Sequence, residues 1–238
     1  SEHVFWAQQA WVNGRWEHDV CLEVDAHGHW AAITPGITQP PAHATVLPGP
    51  VLPGLVNAHS HAFQRAFAGL AERRETEADD FWSWRDRMYG VALRITPAQM
   101  RAVAAQLYVE MLQGGYTQVC EFHYLHHSES GAHYADPASM AWAVADGAAD
   151  AGLGLTLLPV LYQTSGFGAA PPSEGQRRFI RSTDNMLALL QKLQPLCEAQ
   201  GARLGLAPHS LRAVPPDSLR EALAGLHALD ATAPVHIH

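Results

Sequence analysis

The sequence predicts an α/β fold: a parallel TIM (β/α)8 barrel of which about the first five strands are present, preceded by a small β-subdomain. Three observations predict it. From residue 51 onward, short apolar runs alternate with stretches of helical periodicity five times, the pattern of a parallel sheet with crossover helices. Histidine, tyrosine, arginine and glutamate gather where the apolar runs end, and in such barrels that end of the strands carries the chemistry. Residues 1–50 differ, alternating apolar pieces with turns.

Each element follows from local chemistry. Asn13-Gly14 separates Ala10-Trp11-Val12 from Arg15-Trp16, a strong hairpin signal. Val20–Val24 and Trp30–Ile33 read as further strands, and several prolines between Pro35 and Pro50 punctuate the exit from this subdomain. The division is 1–50 and 51–238. Strand one runs from Val51 to Asn57, followed by a long loop with short helices through Phe81-Trp82-Ser83-Trp84-Arg85. Thr96-Pro97 opens a helix, with Thr as N-cap and Pro in the first turn, and Gly114-Gly115 stops it. Strand two is Tyr116–Phe122, and Asp136-Pro137 opens a helix that ends near Gly152. Strand three is Leu153–Leu161, followed by a loop and a helix through Met186, Leu189, Leu190 and Leu193. Strand four is Leu204–Ala207, a helix starts near Pro215-Pro216-Asp217, and strand five is Pro234–His238. A full barrel of this type has eight strands, so the chain is expected to be the N-terminal part of a longer protein.

Composition narrows the function classes. The 238 residues are 47% hydrophobic, enough for a real core, with a formal net charge of -8. No basic run exists, which argues against a nucleic-acid partner. No apolar stretch approaches the roughly 20 residues of a membrane span, and the N-terminus lacks a signal-peptide pattern. Three scattered cysteines, Cys21, Cys120 and Cys197, point to a reducing cytoplasm. A homodimer is the expected assembly.

The candidate chemistry starts at His59-Ser60-His61. In a strand, residues i and i+2 point to the same side, so the two imidazoles can aim at one point, and neutral imidazole suits zinc and related metals. Strand two ends in Glu121, His123 and Tyr124, and strand four in His209 with Arg212 beyond it. Strand five ends in His236 and His238, which share the i, i+2 relation. Either could be the third ligand, and period alone does not choose between them.

The stretch Pro53-Gly54-Leu55-Val56-Asn57-Ala58-His59-Ser60-His61 is similar to the start of the amidohydrolase superfamily. That resemblance implies a metal-activated water in a (β/α)8 barrel of the amidohydrolase type, flanked by a small β-subdomain. Binuclear members bridge their metals with a carboxylated lysine on strand four. The single lysine here, Lys192, lies in a predicted helix, which points to the mononuclear, deaminase-like branch. Longer stretches resemble the formimidoylglutamate deiminases of that superfamily: His59–Ala66, Phe81–Arg85, Glu121–Tyr124, Ser173–Phe179 and His209–Val214.

This closer resemblance implies hydrolysis of N-formimidoyl-L-glutamate to N-formyl-L-glutamate and ammonia, in histidine degradation. It implies His59, His61 and His238 as ligands of one zinc, iron being the other metal that suits such a site. The match in Val235-His236-Ile237-His238 favours His238. Gln64, Arg85, Tyr124, His209 and Arg212 are the implied substrate-binding residues. Arginine pairs with carboxylate through two parallel hydrogen bonds, which suits a dicarboxylate. The implied catalytic Glu, His and Asp would follow residue 238, so no catalytic residue is assigned in this chain. Bland readings stand beside these. Arg85 could be stacked structurally on Trp82 and Trp84, and Arg212 could form a salt bridge at a helix entry. Glu121 could be a partner behind the ligands or a solvated acid. Ser173–Phe179 could shape a loop over the mouth. Two other functions compete: a related deaminase acting on a guanine-like or triazine-like ring, and a non-catalytic metal-binding α/β domain.

Overall fold

The computed structural model describes residues 3–68 and 81–238. The chain forms two compact units, 1–54 and 55–238. In the first, β1 (His3–Val12) and β2 (Arg15–Val24) make the expected hairpin about Asn13-Gly14, followed by β3 (Trp30–Thr34) and β4 (Thr45–Val46). Both turn residues have positive φ, Asn13 at 50° and Gly14 at 82°, as a two-residue hairpin turn demands. The sheet order is β3-β2-β1-β4, with β4 parallel to β1. Ala10, Val20 and Leu22 form its small core.

The second unit is a parallel α/β arrangement. It contains β5 (Leu55–Ser60), α1 (Phe81–Ala92), α2 (Pro97–Gln113), β6 (Tyr116–His123), α3 (Ser139–Ala151), β7 (Gly154–Leu161), α4 (Thr183–Gln200), β8 (Arg203–Leu204), β9 (Ala207–Pro208) and α5 (Pro216–Leu229). Strand order is β5-β6-β7-β8, with β9 also on β7 and every pairing parallel. Short 3-10 turns cover Ala62–Phe67 and Glu174–Gln176.

Local chemistry sets the helix limits. A capping box opens α2: Gln99 N–H donates to Thr96 Oγ1 at 3.2 Å, and Thr96 N–H donates to Gln99 Oε1 at 3.0 Å, which satisfies two orphan donors. Ser182 caps α4 through one bond, its Oγ accepting from Asn185 N–H at 3.1 Å. Left-handed glycines end α3 and α4, Gly152 and Gly201. A Cβ at Gly147 would lie 2.8 Å from Ala104 Cβ, so the absent side chain is what lets α3 lie against α2. Helices and strands share one core that includes Tyr108, Phe122, Leu157, Leu158 and Leu190.

Four expectations change. The first strand of this unit starts at Leu55, because Val51 pairs instead with Ala10 of the β-subdomain. The expected fourth strand is two pieces, β8 and β9, broken at Gly205-Leu206. There the backbone turns to its other neighbour: Leu206 N–H donates to Pro234 O at 3.1 Å, and His236 N–H donates to Leu206 O at 3.1 Å. The expected fifth strand reduces to a single bridge, Leu206 to Val235. Pro234 has no N–H to extend the ladder. Its carbonyl sits where a Cβ on Gly205 would be only 2.2 Å away. The expected loop after strand one falls partly outside the described residues. Its described end is a full helix, α1, rather than short pieces.

Candidate metal centre and adjoining cavity

His59 lies in β5 and His61 just past its end. The strand period brings their rings together, with Nε2 atoms 3.0 Å apart. His238 Nε2 approaches His59 Nε2 to 3.1 Å. Among the described residues these three alone form a group whose ligand atoms lie within 4.8 Å of one another. Where period left both open, the structure brings His238 to the pair and not His236.

The donor chemistry fits a cation. His61 Nδ1 lies 3.0 Å from Phe122 O, and a carbonyl only accepts, so Nδ1 carries the proton and Nε2 presents a lone pair. Such an outer hydrogen bond fixes the tautomer of metal-ligating histidines. His59 Nε2 has a ring nitrogen on each side, and a single N–H could serve only one of them. A cation would satisfy all three. Burial pushes the His61 imidazole down to about 4. His59 and His238 are also lowered, chiefly by burial and then by neighbouring imidazoles. Neutral rings are the ligating form. Phe122 forms the floor: its ring stacks on His238 at 4.3 Å between centroids and 4° between planes, and lies 5.2 Å from His59 and 5.3 Å from His61.

A cavity of about 230 Å³ adjoins the group. Of the sequence-nominated residues, Arg85, Tyr124, His209 and Arg212 line it. His209 bridges cavity and metal group, its ring 4.8 Å from His238. Tyr124, whose ring is 5.6 Å from that of His209, lies 4.9 Å from His61. Burial, then the charges of His238 and Arg212, push His209 down to about 3, and burial raises the Tyr124 phenol. The first is thus a neutral hydrogen-bonding group and the second a protonated donor. Arg85 leans over the Tyr89 ring at 5.2 Å. Of its two expected tryptophan neighbours, the Trp82 side chain lies outside the described residues. Gln64 does not line the cavity; its amide reaches Met88 Sδ at 3.6 Å, and Met88 does line it. Lys192 sits on α4 and pairs with Asp136 at 2.8 Å, away from the histidines.

Sequence reasoning missed Tyr162, Tyr89, Met88, Phe63 and Phe179, which complete the lining. Tyr162 carries a readable signal, since it directly follows β7 and so stands at a strand end like Tyr124 and His209. Tyr89 lies one helical turn from Arg85 on α1. Phe179 belongs to Ser173–Phe179, whose Gln176 amide also donates to Tyr162 OH at 2.8 Å. Glu121 and His123, nominated with Tyr124, face away from the cavity and are buried, because strand neighbours alternate.

The amidohydrolase family model matches residues 51–238. A curated formimidoylglutamate deiminase of Pseudomonas aeruginosa is 49% identical over 232 residues, 98% of this chain and 50% of that protein. A 5-methylthioadenosine/S-adenosylhomocysteine deaminase of Haloarcula marismortui is 26% identical over 92% of this chain and 44% of its own length. The crystal structure of an amidohydrolase from Brucella melitensis superimposes with a TM-score of 0.90 at 46% identity, covering 100% of this chain and 52% of that one. An Arthrobacter aurescens atrazine chlorohydrolase complexed with zinc superimposes at TM-score 0.72 and 17% identity, over 99% of this chain and 52% of its own; that likeness concerns the fold. The chain spans about half the length of the curated relatives it matches.

Proposed function

Because the chain belongs to the amidohydrolase family, we propose that it takes part in the hydrolytic deimination of N-formimidoyl-L-glutamate, giving N-formyl-L-glutamate and ammonia. The observation that carries this reading is the cavity, where Arg85 and Arg212 share a lining with His209 and Tyr124 beside the three converged histidines. The 49% identity to a formimidoylglutamate deiminase supports the choice of substrate.

His59, His61 and His238 would hold one zinc ion, which when bound supplies Lewis-acid activation of water. The chain's other residues bind and orient the substrate. Arg85 and Arg212 bind the two substrate carboxylates, for which the guanidinium fork is shaped. Tyr124 donates a hydrogen bond from a phenol that burial keeps protonated. His209, held neutral, offers a ring nitrogen beside the metal group without adding charge. Phe63, Met88 and Phe179 give the cavity an apolar wall that excludes water and strengthens the ionic contacts. In the net reaction, water oxygen bonds to the formimidoyl carbon, the C=N nitrogen leaves as ammonia, and the carbonyl of the formyl product forms. The same reading puts the protein in histidine degradation in the cytoplasm, as a homodimer.

The test is ammonia release by the intact, zinc-loaded protein from N-formimidoyl-L-glutamate and, separately, from guanine. Release from the first alone is expected. Release only from guanine, or from neither, overturns the proposal. Metal analysis of the purified protein distinguishes zinc from iron.

A further inference from the structure

We propose that Glu121 is the positioning residue that aims His59 and His61, and thereby sets the affinity of the three-histidine site for its metal. The proposal rests on the reading of that group as a metal site.

The strand carrying the two histidines is irregular where it matters. Asn57 pairs with Val119 and Ser60 with Glu121, so three steps along β5 answer two along β6. An extra residue of this kind bends a strand and re-aims its side chains, at the cost of the local ladder. Here the extra residue falls in the stretch that contains His59. Beyond it the chain leaves the sheet and enters a 3-10 turn at Ala62, whose first N–H groups have no partner within the turn. The turn holds His61 only through its carbonyl, which accepts from Gln64 N–H at 3.0 Å, and the ladder reaches no further than Ser60, so the Ser60 hydroxyl and the Ala62 N–H need another partner.

The Glu121 carboxylate is that partner. It is 1% exposed. Its Oε1 accepts from Ser60 Oγ at 2.8 Å, and its Oε2 accepts from Ala62 N–H at 2.7 Å. Ser60 and Ala62 are the two residues flanking His61. Oε1 also accepts from Tyr108 OH at 2.8 Å, and Tyr108, 0% exposed, is held in α2 within the core. One carboxylate thus clamps both sides of a ligand to a rigid helix. The next residue along, Phe122, completes the arrangement through its carbonyl on His61 Nδ1. Position 121 fixes where the histidine backbone lies, and position 122 fixes how the ring turns.

The chemistry of the residue supports a specific role. A buried carboxylate is costly unless fully hydrogen-bonded, and this one faces three donors. Glutamine could hold all three partners only with its oxygen on the Ala62 N–H and its NH2 donating to the Ser60 and Tyr108 hydroxyls, which reverses both hydroxyl bonds and replaces a carboxylate acceptor with weaker neutral hydrogen bonds. Partners behind metal ligands are typically worth 10–100-fold in metal affinity.

The experiment uses the intact protein and measures zinc affinity by competition with a chromophoric chelator, in the wild type and in Glu121→Gln, Tyr108→Phe, Ser60→Ala and His59→Ala. Visible absorption of the cobalt-substituted proteins reports ligand geometry, and circular dichroism reports the fold. Glu121→Gln is expected to weaken zinc binding by about 10–100-fold and to shift the cobalt bands while the fold is kept. Tyr108→Phe and Ser60→Ala are expected to do the same more weakly, and they decide the matter if Glu121→Gln does not fold. Folded variants with wild-type affinity and unshifted cobalt bands would overturn the proposal. If the wild type binds no zinc, or His59→Ala keeps it, the metal reading itself fails and takes this proposal with it.

Discussion

Arg85 and Arg212 reach the cavity from unlike supports. Arg85 stands on α1, with its guanidinium over Tyr89 and Nη2 3.3 Å from the Tyr89 hydroxyl. Arg212 sits on the loop after β9, where its carbonyl accepts from the buried Thr164 hydroxyl at 2.9 Å. On the proposed reading both guanidiniums bind ground-state carboxylates, so their loss should act on binding. Arg85→Met and Arg212→Met are each expected to raise KM for N-formimidoyl-L-glutamate by about 10- to 100-fold, the worth of one hydrogen bond to a charged group, with kcat changed less. Lysine in either place should recover part of the loss, keeping the charge without the fork. Steady-state kinetics checks this, and an unchanged KM in either methionine variant sinks that residue's role. At this scale the convergence of His59 and His61 was readable because a period of two is a geometric rule, and both obey it. The choice of His238 over His236 was not readable from period, since both obey the same rule, and only the resemblance favoured His238; in the fold it is His236 whose peptide N–H faces Leu206. Gln64 shows the reverse: it is near the site in sequence, yet its side chain turns to Met88.

The segment from β6 to α4 shows how elements brace the cavity. Arg178 is 0% exposed and makes its hydrogen bonds chiefly to main-chain carbonyls. Nε donates to His127 O at 2.8 Å, and Nη1 donates to Ala92 O at 2.7 Å and Ile95 O at 2.9 Å. It thereby ties the loop after β6 and the end of α1 to the Ser173–Phe179 segment that supplies Phe179. His123, His126 and His127 pack there, each 2% exposed. Burial, followed by the nearby Arg181 charge, pushes His123 down to about 3 and His126 well below its usual range. Burial also takes His127 down to about 4. A histidine with a depressed folded value contributes stability that is full above its unfolded value near 6.5 and is lost as pH falls. His123 and His126 together should therefore cost about 3 kcal/mol per pH unit below about pH 6. Urea unfolding at pH 7.5 and pH 5 is expected to show a lower midpoint in acid, with the NMR ring signals of His123 and His126 unmoved in the folded state. Rings that titrate near 6.5 while the protein stays folded contradict it. Helices were legible because their limits are set locally, as at Thr96 and Gly152. The break in strand four was not, because it comes from a contact of Gly205 with Pro234, well apart in sequence.

Across the whole molecule, the order of parallel strands brings distant histidines together. His59 and His238 are separated by 179 positions, and the β5-β6-β7 ladders with the Leu206 bridge carry them to one side of the sheet. Alternation of strand and helix was enough to foresee that order, since parallel strands require crossovers and crossovers keep one hand. The consequence is thermodynamic. A metal that binds only the folded arrangement stabilises it by RT ln(1 + [L]/Kd), about 2.7 kcal/mol at a hundredfold excess over Kd. The unfolded chain can still offer the adjacent pair His59 and His61, but the cost of closing a long loop keeps His238 from joining them. Most of the linkage therefore depends on the distant ligand. For a chain of this size the gain corresponds to a rise of about 5–10 °C in melting temperature, which grows with the logarithm of free zinc. Chelation should abolish the rise. His238→Ala should remove most of it while leaving the metal-free melting temperature near that of the wild type, because His238 is exposed and its ring lies on the Phe122 face rather than within the core. A calorimetric series over zinc concentration reads all of these values. A melting temperature indifferent to zinc, or a His238→Ala variant with the full wild-type rise, would mean that the fold is not closed by metal at this point.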